Sequence, residues 1–183
     1  MRILLSVFVL FSLTMLSAQS IDLDQSTLEW TGKKITGEHT GNISIQEANF
    51  QYEDGKLISG VIVINMQSIT CTDLEGEKAQ NLVGHLMSDD FFDAEGFPEA
   101  ELTFNDVRNV EGDSYLLKGE LAIKGNIEPI EFYANLSDSE ANATIKIDRT
   151  KFDIRYGSAS FFDTLGDKAI ADLFEIKAHL VYQ

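Results

Sequence analysis

Apolar and polar side chains alternate along most of this chain, and that alternation restricts the possible folds more than any other feature. From Tyr115 to Ile123 the odd positions are apolar or glycine, whereas Lys118 and Glu120 occupy even positions. A period of two places successive side chains on opposite faces of a β-strand, so the odd residues are expected to face a core. The chain is therefore predicted to be rich in strands that each have one buried face.

The same pattern recurs elsewhere and predicts eight strands in total. Three of them are Thr27–Ile35, Thr40–Tyr52 and Lys56–Met66. The remaining inward faces are Ala100, Leu102 and Phe104; Ile130, Phe132, Ala134 and Leu136; Ala143, Ile145 and Ile147; and Phe174, Ile176, Ala178, Leu180 and Tyr182. Turn signals such as Glu53-Asp54-Gly55 separate the strands. Because eight hairpin-linked antiparallel strands can close on themselves and leave no exposed edge, the predicted fold is an all-β, eight-stranded antiparallel β-barrel.

Two connections, residues 67–98 and 149–170, are much longer than hairpin turns. The first contains Ala79, Leu82, Val83 and Leu86 at spacings of three and four, which predicts a short helix. Each connection also carries a pair of phenylalanines before an aspartate, Phe91-Phe92 in the first and Phe161-Phe162 in the second. Paired aromatics in long loops are consistent with a movable lid at one barrel mouth, and equally with a plug of ordinary core residues.

The N-terminus has the layout of a secretory signal peptide. Arg2 precedes the apolar run from Ile3 to Leu16, and the small residues Ser17 and Ala18 follow it. The run is shorter than the roughly 20 residues that span a bilayer, and no other stretch is apolar enough to do so. We expect residues 1–18 to be the signal peptide, with Ser20 as an alternative cleavage point, and residues 19–183 to be one domain. The mature protein is then periplasmic or secreted, with no transmembrane segment.

Composition and motifs exclude several functional classes. The formal net charge of −16, with no basic run, argues against a nucleic-acid partner. The single cysteine, Cys71, cannot form an intrachain disulfide. We find no recognised catalytic motif, no metal-ligand spacing and no cofactor fingerprint. If His39 and His85 converge at one mouth, they bind a polar headgroup, act as an acid and base pair, or simply join loops by hydrogen bonds.

Seven short segments, in order, resemble the YceI-like or polyisoprenoid-binding proteins of bacterial periplasms. The resemblance extends from about Ser26 to Val181. It is carried by residues 28–32 (LEWTG), 37–41 (GEHTG), 65–69 (NMQSI), 85–93 (HLMSDDFFD) with 97–100 (FPEA), 118–125 (KGELAIKG), 148–152 (DRTKF) and 156–157 (YG). This chain departs from the family pattern after Lys124-Gly125, where Asn126, Ile127 and Glu128 follow.

The resemblance implies a lipocalin-like barrel that holds an isoprenoid or other long-chain lipid in an apolar interior. On this basis we predict an exported soluble protein that binds, sequesters or carries such a lipid, without a catalytic residue. The predicted contacts with the lipid tail are Trp30, Phe104, Phe132, Ile145, Ile147, Phe174 and Ile176, with Phe91, Phe92, Phe161 and Phe162 at the mouth. The predicted headgroup contacts are His39, His85 and Arg149.

Two alternatives to a carrier stay open at the level of sequence. One is an enzyme that modifies such a lipid with His39 and His85 as acid and base. The other is a barrel filled by its own side chains that acts as a protein-interaction module, since a barrel of eight strands is just large enough either to be filled or to hold one small ligand. A homodimer is compatible with each of them.

Overall fold

The computed structural model describes residues 15–183, so most of the predicted signal peptide lies outside the described residues. Over that range eight antiparallel strands form one closed barrel in chain order, with the last strand paired to the first. The strands are β1 (Leu16–Lys34), β2 (Gly37–Glu53), β3 (Lys56–Asn65), β4 (Glu99–Glu111), β5 (Ser114–Ile123), β6 (Asn126–Leu136), β7 (Glu140–Asp148) and β8 (Ile170–Tyr182). The predicted barrel is confirmed.

The long connections contain the remaining regular structure. Helix α1 (Gly76–Met87) lies between β3 and β4, where the sequence predicts it, and 3-10 turns cover Met66–Ser68, Arg149–Phe152 and Gly166–Lys168. Both connections lie at the same end of the barrel, because β3 and β7 run toward that end and β4 and β8 leave it. We call this end the mouth and the opposite end the floor. Within residues 15–183 no helix is both long and apolar enough to cross a bilayer.

Strand β1 begins much earlier than the predicted Thr27. Leu16 pairs with Glu53 and Gln19 with Phe50 on β2, and Ile21 then pairs with Tyr182 on β8. The register shifts between Ser20 and Leu28 on the β2 side and between Asp22 and Thr27 on the β8 side. Residues 22–27 lack a clean alternation because of this irregularity, which is why the sequence pattern begins only after it.

Two of the tight hairpin turns each contain two successive residues with positive φ values. Asp54 and Gly55 have φ values of 49° and 75°, and Lys124 and Gly125 have φ values of 49° and 74°. Two successive residues with positive φ form the turn type whose twist matches that of the flanking strands, and glycine adopts this conformation without steric cost. The strand after the second turn therefore starts at Asn126.

The inward faces follow the predicted alternation. Leu117, Leu121 and Ile123 of β5 are 3–5% exposed, and Phe132 and Ala134 of β6 are 8% and 5% exposed. Outward residues of the same strands, such as Glu120 and Glu131, are exposed. His179 lies on the outer face as predicted, where its Nδ1 is 2.9 Å from Oδ1 of Asn142.

Aromatic rings fill the barrel toward the floor. The ring of Phe50 packs edge to face against Phe104 at 5.5 Å and against Tyr182 at 6.3 Å between centroids. Gly60 lies against the Phe104 ring, so that any side chain at this position would overlap it. Burial raises the pKa of Tyr182, and the neighbouring Tyr52 adds to the shift. Aromatic rings thus occupy part of the interior toward the floor.

Candidate functional site

The mouth half of the barrel encloses a cavity with a volume of about 100 Å³. We call it the mouth cavity. Hydrocarbon side chains dominate its lining, which comprises Leu28, Trp30, Gly32, Ile43, Ile64, Met66, Ile69, Leu86, Phe91, Phe92, Ala100, Leu121, Ile123, Ile147, Arg149, Ile170, Ala171, Phe174 and Ile176. A lining of this kind favours the apolar part of a ligand through burial of hydrocarbon surface.

A second cavity of about 40 Å³ lies below the first, toward the floor. We call it the floor cavity. Its lining continues that of the mouth cavity along single strands: Ile64 is followed by Ile62 on β3, and Ile147 by Ile145 on β7. Phe50, Phe104 and Phe132 close it. The two cavities therefore lie in tandem along the barrel interior, an arrangement suited to a chain-shaped ligand.

Trp30 is positioned at the mouth by a close approach of two segments. Its indole Nε1 donates a hydrogen bond to the Thr70 carbonyl oxygen at 3.0 Å. Gly41, opposite Trp30 on β2, leaves room for both the indole ring and the Thr70 carbonyl, since a Cβ at that position would overlap them. Trp30 lines the mouth cavity as predicted from the sequence.

The first pair of phenylalanines covers the mouth cavity. Phe91 is 6% exposed, its ring lies 5.0 Å from that of Phe92, and Phe92 lies 6.0 Å from Phe174 of β8. Lys124 Nζ donates hydrogen bonds to the carbonyl oxygens of Asp89 and Phe91 at 2.6 and 3.0 Å, which fixes this segment to the β5–β6 turn. Of the two sequence-based alternatives, this geometry corresponds to a plug.

The second pair of phenylalanines does not reach the cavity. Phe161 and Phe162 are 47% and 50% exposed, and neither lines the mouth or the floor cavity. The guanidinium of Arg155 lies 4.7 Å from the centroid of the Phe161 ring. Phe161 and Phe162 lie in the connection at the mouth end, as predicted, but the predicted contact with a lipid tail in the cavity is not seen for this pair. Their segment turns outward from Ser158, whose side chain is the buried one.

We expect Phe91→Ala to lower the free energy of unfolding by about 3 kcal/mol, the low end for buried phenylalanines, because Phe91 packs at the barrel end. Phe161→Ala is the matched control and should cost less than about 0.5 kcal/mol, since the ring is half exposed. Urea unfolding of both variants measures this difference. Equal costs would show that the two segments are packed alike and that the plug assignment is wrong.

Arg149 is fully enclosed, with 1% of its surface exposed. Its Nε and Nη2 donate to the carbonyl oxygens of Ala171 and Ile170, both at 3.0 Å, and Nη1 donates to that of Ile154 at 2.8 Å. Asp172 Oδ1 lies 3.6 Å from Nη2. Burial lowers the pKa of Arg149, while Asp172 opposes the shift, and an arginine remains charged. The geometry gives Arg149 a structural position between β7 and β8. Arg149 also lines the mouth cavity, and the headgroup contact expected from the sequence stays a prediction.

The two histidines predicted for a headgroup have separate surroundings. His39 Nδ1 lies 2.8 Å from Asp73 Oδ2, and Asp73 Oδ1 accepts a hydrogen bond from the Thr40 amide at 2.9 Å. His85, on α1, packs its ring 4.4 Å from Tyr156 and 5.7 Å from Phe91. Neither histidine lines the mouth or the floor cavity. His39 joins β2 to the segment before α1 through Asp73, which is one of the three roles left open by the sequence. The ring of His85 only packs against its neighbours, and within residues 15–183 its buried Nε2 has no hydrogen-bond partner.

Asp73 links β2 to the segment that precedes α1, and this link depends on the negative charge of its carboxylate. Burial would raise its pKa, but hydrogen bonds from the Thr40 amide, His39 and the Cys71 thiol outweigh burial and hold the pKa at about 2. A carboxyl whose pKa is depressed by folding contributes stability above its unfolded pKa, near 4, and loses that contribution as the pH falls through the folded value.

We therefore expect Asp73→Asn to lower the free energy of unfolding by about 1 kcal/mol at pH 7, a figure reduced because the side chain is partly exposed. The difference from the wild type should shrink below pH 4 and vanish near pH 2. Urea titrations between pH 7 and pH 3 follow this trend. A destabilisation that is independent of pH would show that lost packing, and not the carboxylate charge, is responsible.

Most predicted tail contacts line the interior. Trp30, Phe91, Phe92, Ile147, Phe174 and Ile176 border the mouth cavity, and Phe104, Phe132 and Ile145 border the floor cavity. The sequence analysis missed several lining residues, among them Leu28, Ile43, Ile64, Met66, Ile69 and Leu86. The alternation places Leu28, Ile43, Ile64 and Met66 on one side of their predicted strands, and the helical spacing includes Leu86. Ile69 lies in a connection that has no such signal. Over residues 15–183 no group of three or more potential metal ligands occurs.

A closed eight-stranded antiparallel barrel with an apolar cavity at one end defines the lipocalin-like class of barrels. The YceI-like domain family matches residues 19–182. The chain belongs to this family.

One relative of known sequence is similar over part of the chain. The UPF0312 protein plu2095 of Photorhabdus laumondii subsp. laumondii is 32% identical over 75 residues, which are 41% of this chain and 35% of that protein. The chain thus matches about a third of that relative's length.

Among solved structures, BcnA of Burkholderia cenocepacia superposes with a TM-score of 0.72 and 22% identity, covering 90% of this chain and all of BcnA (100%). A polyisoprenoid binding domain from Saccharophagus degradans, implicated in plant cell wall breakdown, gives a TM-score of 0.63 and 15% identity over 92% of this chain and 99% of that domain. The YceI protein of Campylobacter jejuni gives 0.55 and 17% over 70% and 74%. At these identities the likeness concerns the fold.

Proposed function

We propose that the barrel holds an isoprenoid or another long apolar lipid, and that the protein sequesters or carries it outside the cytoplasm. The observation that carries the proposal is the pair of tandem cavities along the barrel interior, whose lining is almost entirely hydrocarbon. Each buried CH₂ group contributes about 0.8 kcal/mol, so a chain of several isoprene units offsets the entropy lost on binding. The family assignment and the similarity to a polyisoprenoid binding domain support the same ligand class.

Export is the part of the proposal that rests on the N-terminal sequence. Cleavage after Ala18 keeps Gln19 and Ser20, whose neighbours in the barrel are Phe50 and Asn49 on β2. Ser20 also contacts the last residue, because the Gln183 amide donates to the Ser20 carbonyl oxygen at 3.0 Å. Cleavage at either point removes the pairs of Leu16, Ser17 and Ala18 with β2, but only cleavage after Ser20 would also remove the contacts of Gln19 and Ser20. We therefore favour Ala18 as the cleavage point, which the N-terminal residue of the exported protein would test.

The single tryptophan makes the proposal directly testable, because Trp30 lines the mouth cavity. We expect geranylgeraniol to change the fluorescence of Trp30 in a saturable way at about one ligand per barrel. Organic extracts of the protein purified from the exported fraction should contain a long-chain lipid identifiable by mass spectrometry. A lipid-free protein whose fluorescence does not respond to geranylgeraniol would contradict the proposal.

A further inference from the structure

The barrel wall is incomplete between β6 and β7. In the part of the chain that the structure describes, these strands share only the pairs Ala134↔Ala143, Asn135↔Asn142 and Leu136↔Ala141, all near the floor. By contrast, β5 pairs with β6 along its whole length, from Ser114↔Asn135 to Ile123↔Asn126. Likewise β7 pairs with β8 from Glu140↔Val181 to Asp148↔Leu173. Residues 127–133 of β6 and 144–147 of β7 therefore face each other without ladder pairing, and we call this gap the seam.

The sequence of β6 fits a strand that has one unpaired edge. Pro129 lies in its middle, opposite Glu120 of β5. Because proline has no backbone N–H to donate, it is found in edge strands and is disfavoured between two partners. The sequence of β6 therefore favours the missing pairing with β7, which covers the residues around Pro129.

Both ends of the seam are closed. Toward the floor the three pairs named above join the strands. Toward the mouth, the 3-10 turn Arg149–Phe152 spans the gap: Asn126 Nδ2 on β6 donates to the Phe152 carbonyl oxygen at 3.2 Å, and Phe152 is 3% exposed. The seam is therefore a bounded slot in the side wall.

An outer groove and the floor cavity lie on opposite sides of the wall next to the floor end of the slot. Tyr133 and Thr144, the first residues beyond the last pair, line the groove on the outer surface. Their neighbours Phe132 and Ile145 line the floor cavity. In the adjoining paired part of the wall, Asn142, Ala143 and Ala178 border both the groove and that cavity, so one layer of backbone separates the two.

Opening the seam breaks fewer interactions than opening the mouth. At the mouth, Phe91 is buried, Lys124 bonds to the carbonyls of Asp89 and Phe91, and Arg149 bonds to three more carbonyls. Along the seam no ladder pair joins residues 127–133 to residues 144–147. The inward side chains beside this stretch include Phe132 and Ile145, each 8% exposed, and apolar contacts that they lose on opening are regained against an apolar chain.

We propose that the seam is a lateral portal through which the apolar chain of a lipid enters and leaves the interior while the mouth stays plugged. This inference rests on the proposed function. It identifies the part of the wall that has to move when a lipid binds. It also predicts that the rate of lipid exchange and the affinity for the lipid can be changed separately.

The test links the two sides of the seam reversibly in the mature protein, in which Cys71→Ser removes the native thiol. Glu131→Cys with Lys146→Cys places thiols on the two sides of the seam, away from the last ladder pair, where they are joined as a disulfide or by a short bis-maleimide. The control, Lys146→Cys with Glu175→Cys, ties the same residue of β7 to its existing partner on β8. Uptake of geranylgeraniol from phosphatidylcholine vesicles is followed by Trp30 fluorescence, and linkage is verified by mass.

We expect linkage across the seam to slow uptake by about tenfold or more, as expected when a gate is locked. Reduction of the disulfide should restore the rate, and the control linkage should leave it unchanged. Lys124→Met, which loosens the plug, should not accelerate uptake. Equal rates in linked and reduced protein, or acceleration by Lys124→Met, would overturn the portal while leaving the lipid-binding proposal intact. A reduced protein that binds no geranylgeraniol would instead overturn the proposed function and the portal with it.

Discussion

Replacing Arg149 with methionine is expected to lower the free energy of unfolding by about 4 kcal/mol, in the range seen when one partner of a buried ionic network is removed. The guanidinium is 1% exposed and donates to the carbonyl oxygens of Ile154, Ile170 and Ala171. Methionine has a similar length but no donor, so three carbonyls at or near the barrel wall lose this partner, and the Asp172 carboxylate loses the adjacent positive charge. Buried acceptors without a donor retain the full cost of leaving water.

Arg155→Met is the matched control. Arg155 makes the same type of contact at the surface, with its Nε 3.0 Å from Asp153 Oδ1 and more than half of its side chain exposed (55%). Exposed pairs contribute at most about 1 kcal/mol, so this variant should unfold near the wild-type urea midpoint. If Arg149→Met were equally mild, the carbonyls would have to be satisfied by water, and Arg149 would be free to act on a ligand.

Period-two alternation predicted the barrel because the signal is local. Each strand with one face toward the interior repeats the pattern independently of its partners, and the strands from β3 to β8 appear where that pattern lies. The start of β1 escaped prediction because residues 22–27 form an irregular segment. The short pairing of β6 with β7 is a property of two strands together, and Pro129 is its only trace in the sequence.

The two Phe-Phe segments show the limit of reading a site from sequence. Both consist of a serine, two residues, two phenylalanines and an aspartate, yet Phe91 is 6% exposed and Phe161 is 47% exposed. The first segment follows α1, whose Leu86 lines the mouth cavity, so its rings are delivered to the same cavity. The second follows a stretch in which Ile154 and Ser158 fill the available space, at 0% exposure each. Tertiary packing, and not the local sequence, decides which ring is buried.

The same limit applies to Arg149. A basic residue after a strand normally indicates a surface position or an anion contact, and a headgroup role is a reasonable expectation from sequence. Its partners are backbone carbonyls of residues 154, 170 and 171, and no side-chain pattern identifies a carbonyl as an acceptor in advance. Residues that bind backbone are therefore the part of a site that sequence predicts least well.

A carboxyl group introduced at Ile147 should remove lipid binding and strongly destabilise the fold. Ile147 is 8% exposed, lines the mouth cavity and lies on β7 opposite Phe174 of β8. In Ile147→Glu the carboxylate would be surrounded by hydrocarbon, and we expect a loss of about 5 kcal/mol in the free energy of unfolding at pH 7. The fluorescence response of Trp30 to geranylgeraniol should disappear, because the ligand would have to bury the same charge.

Leu173→Glu introduces the same carboxylate on the outer face of β8 and serves as the control. Leu173 is 53% exposed and lies outside the seam, so this variant should bind geranylgeraniol normally and change stability by less than about 0.5 kcal/mol. The pH dependence of the free energy of unfolding distinguishes the cost of the buried charge from the cost of the altered side-chain shape. Burial raises the pKa of the introduced carboxyl above its unfolded value, so the stability gap between the two variants should be smallest below pH 4 and should widen as the pH rises through the raised pKa. A gap that stays constant from pH 4 to pH 8, or binding that survives in Ile147→Glu, would show that residue 147 does not face an apolar ligand site.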